Sequence, residues 1–274
     1  MRSLETPIVK DICLDEERVK STIERLKENA AARPDGVPNK LLKETVDQIK
    51  LPLSILFRQS LQQEMIPDEW REASITPIFK KGKSEPGNYR PVALTSAVCK
   101  VMERIVKEGI EKHIEENGLT GNSQHGFRHG RSPQTNLIEF MDQTRKWIDN
   151  GRAFNIVYMD FTKAFDKVCH ASLAVKLKAN GLEGKLLGWI KNWLYRRRQR
   201  VVVDGEWSDV EEVLSSVIQG SVLVGTFFNM FINDLDERII AFLRKFADDT
   251  KMARLVENED DASELQKDID ALHA

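Results

Sequence analysis

Apolar positions recur with a helical period in some stretches of this chain and with a strand period in others, and the alternation between the two sets its plan. Over residues 15–29 they fall at Val19, Ile23 and Leu26, which predicts a short amphipathic helix. Arg33-Pro34-Asp35-Gly36-Val37-Pro38 then breaks the pattern with a turn. Helix resumes at Asn39, and Pro52, early in the apolar stretch 51–61, is expected to mark a helix start or kink. Beyond Glu72 the period changes. Residues 73–79 favour a strand, a basic loop follows (Lys80-Lys81-Gly82-Lys83 to Asn88), and residues 89–94 supply a second strand, giving a hairpin with basic residues near its tip. Thr95 is expected to cap a helix through Asn117, with Val98, Val101, Met102, Ile105 and Ile110 on its apolar side and Gly118 as its stop.

Another helix is predicted over 134–150. Residues 154–160 form the most strand-like run in the chain, apolar on both faces as a buried strand would be. Period-2 alternation puts Asp160 at its end, on the face of Phe154, Ile156 and Tyr158. Helices follow at 171–179 and 183–195. Asp204-Gly205 then joins strands 198–203 and 206–213 in a two-residue hairpin. Residues 221–235 are apolar nearly all round, a buried helix. A second hairpin is centred on Phe246-Ala247-Asp248-Asp249-Thr250-Lys251, and residues 262–272 close with an amphipathic helix. Helices alternating with antiparallel hairpins make the fold class α+β.

Composition narrows the class of protein. Of the 274 residues, 41% are hydrophobic and 31% charged, which excludes a disordered chain. No apolar run approaches the roughly 18–20 residues of a spanning helix, and the charged N-terminus lacks a signal-peptide core. The expectation is a protein of the nucleus and/or cytoplasm, neither secreted nor membrane-spanning. Cys13, Cys99 and Cys169 are too few and too scattered for a disulfide framework or a zinc site. Net charge is −2, so no global field attracts nucleic acid. The basic residues are clustered instead, in 80–83, 128–131 and 196–200, and such patches bind phosphate or simply face solvent.

Two adjacent carboxylates, Asp248 and Asp249, carry an electrostatic cost that a cation would offset, although Asp is also an ordinary turn residue. Asp160 at the end of its own strand is a third carboxylate able to meet them at one sheet edge. Hard oxygen ligands of this kind suit Mg²⁺, which keeps waters and bridges to substrate phosphates.

Three segments, YMDFTKAFDKV, IQGSVL and FADDT, occur in that order and resemble motifs A, B and C of a reverse transcriptase, of the non-LTR (LINE-type) retrotransposon kind. ITPIFKKGKSEPGNYRPVALTSAVCKVMERIV resembles the fingers motifs of that family, SQHGFRHGRSPQTNL its QxGFR segment, and RPDGVP an upstream turn. The resemblance runs from about residue 15 to the C-terminus. It implies a right-hand polymerase fold: a helical N-terminal extension (1–70), fingers (71–150) and palm (151–274), with a hairpin near 198–213 shared by both. The thumb and the endonuclease of the family are expected to be missing.

By the same resemblance Asp160 and Asp248 hold two Mg²⁺ ions (Mn²⁺ as an alternative) together with the backbone carbonyl of Phe161, and Asp249 supports or shares the ligation. Phe165 matches the bulky gate beneath the sugar, and read on its own it is equally a core residue at a helix start. Gln219 and Gly220 match the pair that supports the incoming nucleotide. Arg90 and Lys80 or Lys81 match the residues that neutralise its triphosphate, a task suited to a bidentate guanidinium and a mobile ammonium. Arg128 and Arg131 are expected on the template backbone, and Asp166 as a local cap or loop anchor. The partners implied are an RNA template, a DNA primer and dNTPs, and the reaction is RNA-templated nucleotidyl transfer to a primer 3′-hydroxyl. Motif B departs from the family pattern: Ile218 stands for Pro, Val224 for Gly and Gly225 for Pro; Arg33 likewise replaces Gly. These departures keep open a catalytically inactive remnant that at most binds RNA. An unrelated Mg²⁺-dependent nuclease is disfavoured by the fingers motifs.

Overall fold

The computed structural model describes residues 6–28, 33–80, 82, 85, 88–161, 163–217 and 220–273. The chain is of mixed α+β class and divides into two compact, discontinuous units: residues 1–117 with 165–224, and residues 118–164 with 225–274.

In the first unit, Asp15 caps helix α1 (Glu16–Glu24) by accepting from the Arg18 N–H at 2.7 Å. α2 (Asn39–Glu44) and α3 (Val46–Gln63) follow. The break expected at Pro52 lies earlier, at Thr45, whose hydroxyl donates back to the Leu41 carbonyl at 2.8 Å; Pro52 sits inside α3. β1 (Glu72–Phe79) and β2 (Tyr89–Thr95) pair antiparallel, as the sequence predicts. The cap of α4 (Ala97–Glu116) is Ser96 rather than Thr95, because the Ser96 side chain accepts from the Cys99 N–H while Thr95 still belongs to β2.

The later segments of this unit supply α6 (His170–Ala179), α7 (Gly184–Leu194), β4 (Arg197–Val203), β5 (Glu206–Trp207) and β6 (Glu211–Val213). Val203 pairs with Glu206, so Asp204-Gly205 is the two-residue turn its sequence announces. β4 also pairs with β6, and runs parallel to β1 in the order β2-β1-β4-β5. Trp189, Trp193, Phe57, Met102, Ile105, Ile110 and Leu173 fill the interior of this unit.

The second unit contains α5 (Pro133–Asp149), β3 (Phe154–Met159), α8 (Val224–Phe231), β7 (Phe242–Phe246), β8 (Asp249–Leu255) and α9 (Glu259–His273). α8 is buried all round but begins at Val224, later than the expected 221. The sheet order is β3-β8-β7, all antiparallel. On one face Leu243 and Met252 pack against Leu265 and Leu272 of α9, with Val157 and Met159 joining them. On the other, Phe140 and Trp147 of α5 stack on Phe242, and Trp147 also on Phe154.

β3 is therefore an edge strand and not the buried one its composition predicts. Val157 and Met159 face the helix, whereas Ile156 and Tyr158 lie on the other face, Tyr158 being 69% exposed. One apolar face of the run is packed on α9; on the other, Phe154 meets Trp147 while Ile156 and Tyr158 stay exposed beside Asp160.

Candidate active site

The register of the three-stranded sheet brings two of the expected carboxylates together. Met159 pairs with Thr250, and continuing that antiparallel register sets Asp160 beside Asp249. Phe246 pairs with Asp249 across β7 and β8, leaving Ala247-Asp248 as the two-residue turn. Asp160 and Asp249 line one cleft of about 390 Å³ with Tyr158, Met159, Phe246, Thr250, Lys251, Pro133 and Asn136. Both are exposed: Asp160 follows the edge strand β3, and Asp249 opens β8 beside the turn. Asp248, half-buried, sits on the turn and does not line this cleft. The carbonyl of Phe161 accepts from the Ala164 N–H at 3.2 Å and so begins the tight bend after β3.

Among the described residues no three carboxylate, imidazole or thiolate side chains converge on one point suited to a metal. The donor set fits Mg²⁺ in a narrower sense: two adjacent carboxylates on one face, leaving coordination positions for waters and substrate phosphates, which is how Mg²⁺ is commonly held.

A loop that sequence reasoning connected only with template contact turns out to build the hairpin. Ser123, Gln124 and His125 run alongside β7: the His125 N–H donates to the Lys245 carbonyl and the Lys245 N–H to the Ser123 carbonyl, both at 2.8 Å. Gln124, buried, places its carboxamide on Ala247: Nε2 donates to the Ala247 carbonyl at 3.2 Å and Oε1 accepts from the Ala247 N–H at 2.9 Å. The same Oε1 accepts from the Gly126 N–H at 2.8 Å. Gly126 has no room for a side chain, since a Cβ would collide with the Ala247 backbone nitrogen. Lys245 is buried and paired with Asp236; burial lowers its pKa, and Asp236 opposes that shift. The Gln-x-Gly spacing in QHGFR was the one signal in the sequence for this contact.

The nucleotide-side candidates lie in the first unit. Arg90 is an exposed residue of β2 opposite Ile78, and Lys80, also exposed, donates its backbone N–H to the Asn88 carbonyl at the end of the hairpin loop. Lys81 and Gln219 lie outside the described residues. The Phe165 carbonyl accepts from the Val217 N–H at 3.2 Å, and the Ser215 hydroxyl donates to the Asp166 carbonyl at 3.0 Å. Gly220 has φ +124°, and a Cβ there would collide with the Ala93 carbonyl oxygen, so only glycine fits. Immediately after it, Ser221 Oγ and the Val222 N–H both donate to Glu103 Oε2 at 3.0 Å. Glu103 is fully buried in α4, and its other oxygen accepts from Trp193 Nε1 at 3.0 Å and from Cys99 Sγ at 3.4 Å. Sequence reasoning did not single out Glu103, although it lies within the segment that resembles the fingers motifs.

Several of the basic residues make contacts within the protein. Arg128 Nη1 donates to the Gly121 carbonyl at 2.7 Å. Arg131 Nη1 donates to Glu139 Oε1 at 2.5 Å and lies 3.2 Å from His125 Nε2. Burial works against ionised Glu139, but Arg131, His125 and Arg244 together hold its carboxyl below the usual range. Within the 196–200 cluster, Arg197 is buried and donates to the carbonyls of Trp193 and Trp70, Arg198 pairs with Glu72, and Arg200 stacks on Trp207. No described helix is long and apolar enough to cross a membrane.

Comparison with known proteins identifies the family. The family described as "Reverse transcriptase (RNA-dependent DNA polymerase)" matches residues 78–273. The chain is 30% identical over 258 residues to the "Probable RNA-directed DNA polymerase from transposon X-element" of Drosophila melanogaster, covering 92% of this chain and 28% of that protein. It is 29% identical over 238 residues to the corresponding protein from transposon BS, and 28% identical over 245 residues to the "RNA-directed DNA polymerase from mobile element jockey", both of the same fly. Each of these two alignments covers 85% of this chain and 26% of the relative, so the chain spans about a quarter of the length of such proteins. From the ordered motifs, the α+β architecture and the match over residues 78–273, the chain belongs to the reverse transcriptase family, of the kind found in non-LTR retrotransposons.

Proposed function

We propose that this chain carries the fingers (71–150) and palm (151–274) of a reverse transcriptase, preceded by the helical segment 1–70, and that it catalyses RNA-templated addition of dNTPs to a DNA primer. The observation that carries this reading is the placement of Asp160 beside Asp249 on one open sheet face, with Asp248 on the adjoining turn. In this reading Asp160 and Asp248, with the Phe161 carbonyl, would hold two Mg²⁺ ions, and Asp249, the carboxylate that the strand register sets beside Asp160, would share the ligation. Bound ions of this type stabilise the attacking and leaving oxygens of an in-line phosphoryl displacement. The exposed apolar face of Ile156 and Tyr158 beside Asp160 suits the sugar and base of a primer end. Arg90, with Lys80 or Lys81, neutralises the triphosphate. Phe165 gates the sugar, and Gln219 and Gly220 support the nucleotide. Template contact by Arg128 and Arg131 is secondary to their hold on the loop that carries them.

Primer extension on an RNA template in Mg²⁺ tests this reading. Asp160→Asn and Asp248→Asn are expected to lower the rate at least about 100-fold, the kinetic equivalent of ~2.7 kcal/mol. Unchanged extension in either variant removes that residue from the assignment. The second reading, a remnant that binds RNA without catalysis, is favoured by the departures in motif B, where Ile218 stands for Pro, Val224 for Gly and Gly225 for Pro. Salt-dependent RNA binding with no incorporation in Mg²⁺ or Mn²⁺ is its expected result.

A further inference from the structure

The turn that carries Asp248 and Asp249 is built from residues that do not favour it. A two-residue hairpin of this type wants Asn-Gly or Gly at the positions of positive φ. Here the first turn residue is Ala247, at φ 55°, a conformation in which an alanine Cβ crowds the following carbonyl. Something outside the turn has to hold it there, and Gln124 is placed to do so. Its carboxamide engages both the N–H and the C=O of Ala247, the only residue between Phe246 and Asp248.

The clamp is itself well anchored. The chain around Gln124 is bonded to Lys245 on both sides, Asn136 Nδ2 donates to the Lys245 carbonyl at 3.0 Å, and Asn229 Nδ2 donates to the Gly126 carbonyl at 2.8 Å. The missing side chain at Gly126 lets the two backbones approach closely enough for the carboxamide to reach. A buried amide satisfied at both ends has one orientation available to it, and the residue it grips is adjacent to the first carboxylate of the pair.

We propose that Gln124 is a positioning residue of the polymerase centre: by fixing Ala247 in the left-handed conformation it sets the direction in which Asp248 and Asp249 leave the turn. It touches neither metal nor substrate and acts through the hairpin. This inference rests on the polymerase reading above.

The test uses the full chain and the near-isosteric Gln124→Met variant, which keeps the buried stem and deletes the carboxamide. Three quantities are measured: the melting temperature, Mn²⁺ affinity from water-proton relaxation, and primer extension across a Mg²⁺ titration well below the melting temperature. We expect the variant to need at least fivefold more divalent ion for half-saturation, and its kcat to fall at least tenfold with KM for dNTP within twofold of wild type. A purely structural role would lower the melting temperature without moving the ion requirement. Glycine takes positive φ without cost, so Ala247→Gly in the Gln124→Met background is expected to recover part of the ion affinity. The double variant also supplies the measurement if Gln124→Met alone fails to fold. Ion requirement and kcat within twofold of wild type in a folded Gln124→Met chain, or in the double variant if only that folds, overturn the inference and leave the polymerase reading standing. A wild-type chain that neither binds Mn²⁺ nor extends a primer overturns the reading, and the inference with it.

Discussion

Two loops in this protein are each held by one buried polar side chain, and the two side chains differ in charge. In the first unit the ionisable carboxylate of Glu103 collects donors from Ser221, Val222, Trp193 and Cys99. In the second the neutral carboxamide of Gln124 gives one hydrogen bond to Ala247 and accepts from Ala247 and Gly126. The chemistry follows from what each loop presents. The start of the Ser221 segment offers donors only, so an acceptor-only group satisfies it. The Ala247 turn offers a donor and an acceptor on the same residue, and a neutral amide matches both at any pH. A buried carboxylate needs help that a buried amide does not, and Arg197, itself buried in this unit, supplies favourable electrostatics for Glu103. Burial raises the Cys99 thiol well above its ordinary pKa, and the same anion adds to that shift.

Exchanging the two groups separates charge from shape. The larger effect is expected at Glu103→Gln. Its new NH₂ must face either the Ser221 and Val222 donors or the Trp193 and Cys99 donors, so donors are left orphaned in either orientation. Leaving such groups unsatisfied costs about 1–3 kcal/mol, and the buried Arg197 loses a charge partner as well. A loss of about 2–4 kcal/mol in urea unfolding, followed by tryptophan fluorescence, is the expected result. A loss below about 0.5 kcal/mol would mean that the charge is incidental and that any acceptor of that shape serves.

The contrast between the loops also marks where sequence reading stopped. The hairpins at Asp204-Gly205 and at FADDT, the helix over 133–149 and the amphipathic α9 were legible because period and turn chemistry are local signals. The parallel pairing of β1 with β4 was not, since residues 72–75 meet residues 198–201 without any short-range trace. The character of β3 was misread for a related reason. An apolar face on an edge strand and one inside a sheet have the same sequence, and only the sheet order distinguishes them. At the site, the carboxylates announced themselves through motif order, whereas Glu103 and Gln124 act through backbone atoms more than 100 residues away. Arg197 shows the converse: a residue in a basic run that reads as surface is held inside by two carbonyls.

The reciprocal exchange, Gln124→Glu, is expected to be milder and to depend on pH. An ionised carboxylate there still accepts from Ala247 and Gly126, but its second oxygen is turned toward the Ala247 carbonyl. Protonation restores a donor. Burial with an acceptor opposite raises the folded-state pKa above the unfolded value of about 4.3, so the stability of the variant relative to wild type is fully present below that pH and lost as pH rises. Paired melts of variant and wild type across pH 4.0–7.5 measure the difference at each pH. A gap that does not widen with pH would show that the donor half of the amide is dispensable.

The smallest effect concerns the residue between Gln124 and Gly126. His125 is buried: its Nδ1 lies 2.9 Å from Thr135 Oγ1, and its Nε2 lies 3.3 Å from Glu139 and 3.2 Å from Arg131. Burial lowers its pKa; Glu139 opposes the shift and Arg131 reinforces it. The sign is therefore that of a base that folding keeps neutral. Its contribution is present above the unfolded value of about 6.5, and is lost as pH falls through that value because the unfolded chain takes up a proton more readily. Wild type is expected to melt progressively lower between pH 7 and pH 5, and His125→Gln to flatten that slope, with its own melting temperature at pH 7.5 somewhat reduced. Because His125 shares its backbone ladder to Lys245 with Gln124, the clamp on Ala247 is expected to loosen before the unit unfolds once the pH is low enough to protonate the imidazole in the folded chain itself. Hydrogen exchange at the Ala247 amide, followed as pH is lowered and corrected for intrinsic rates, checks that order. Protection that persists to the pH of global unfolding would separate the imidazole from the clamp.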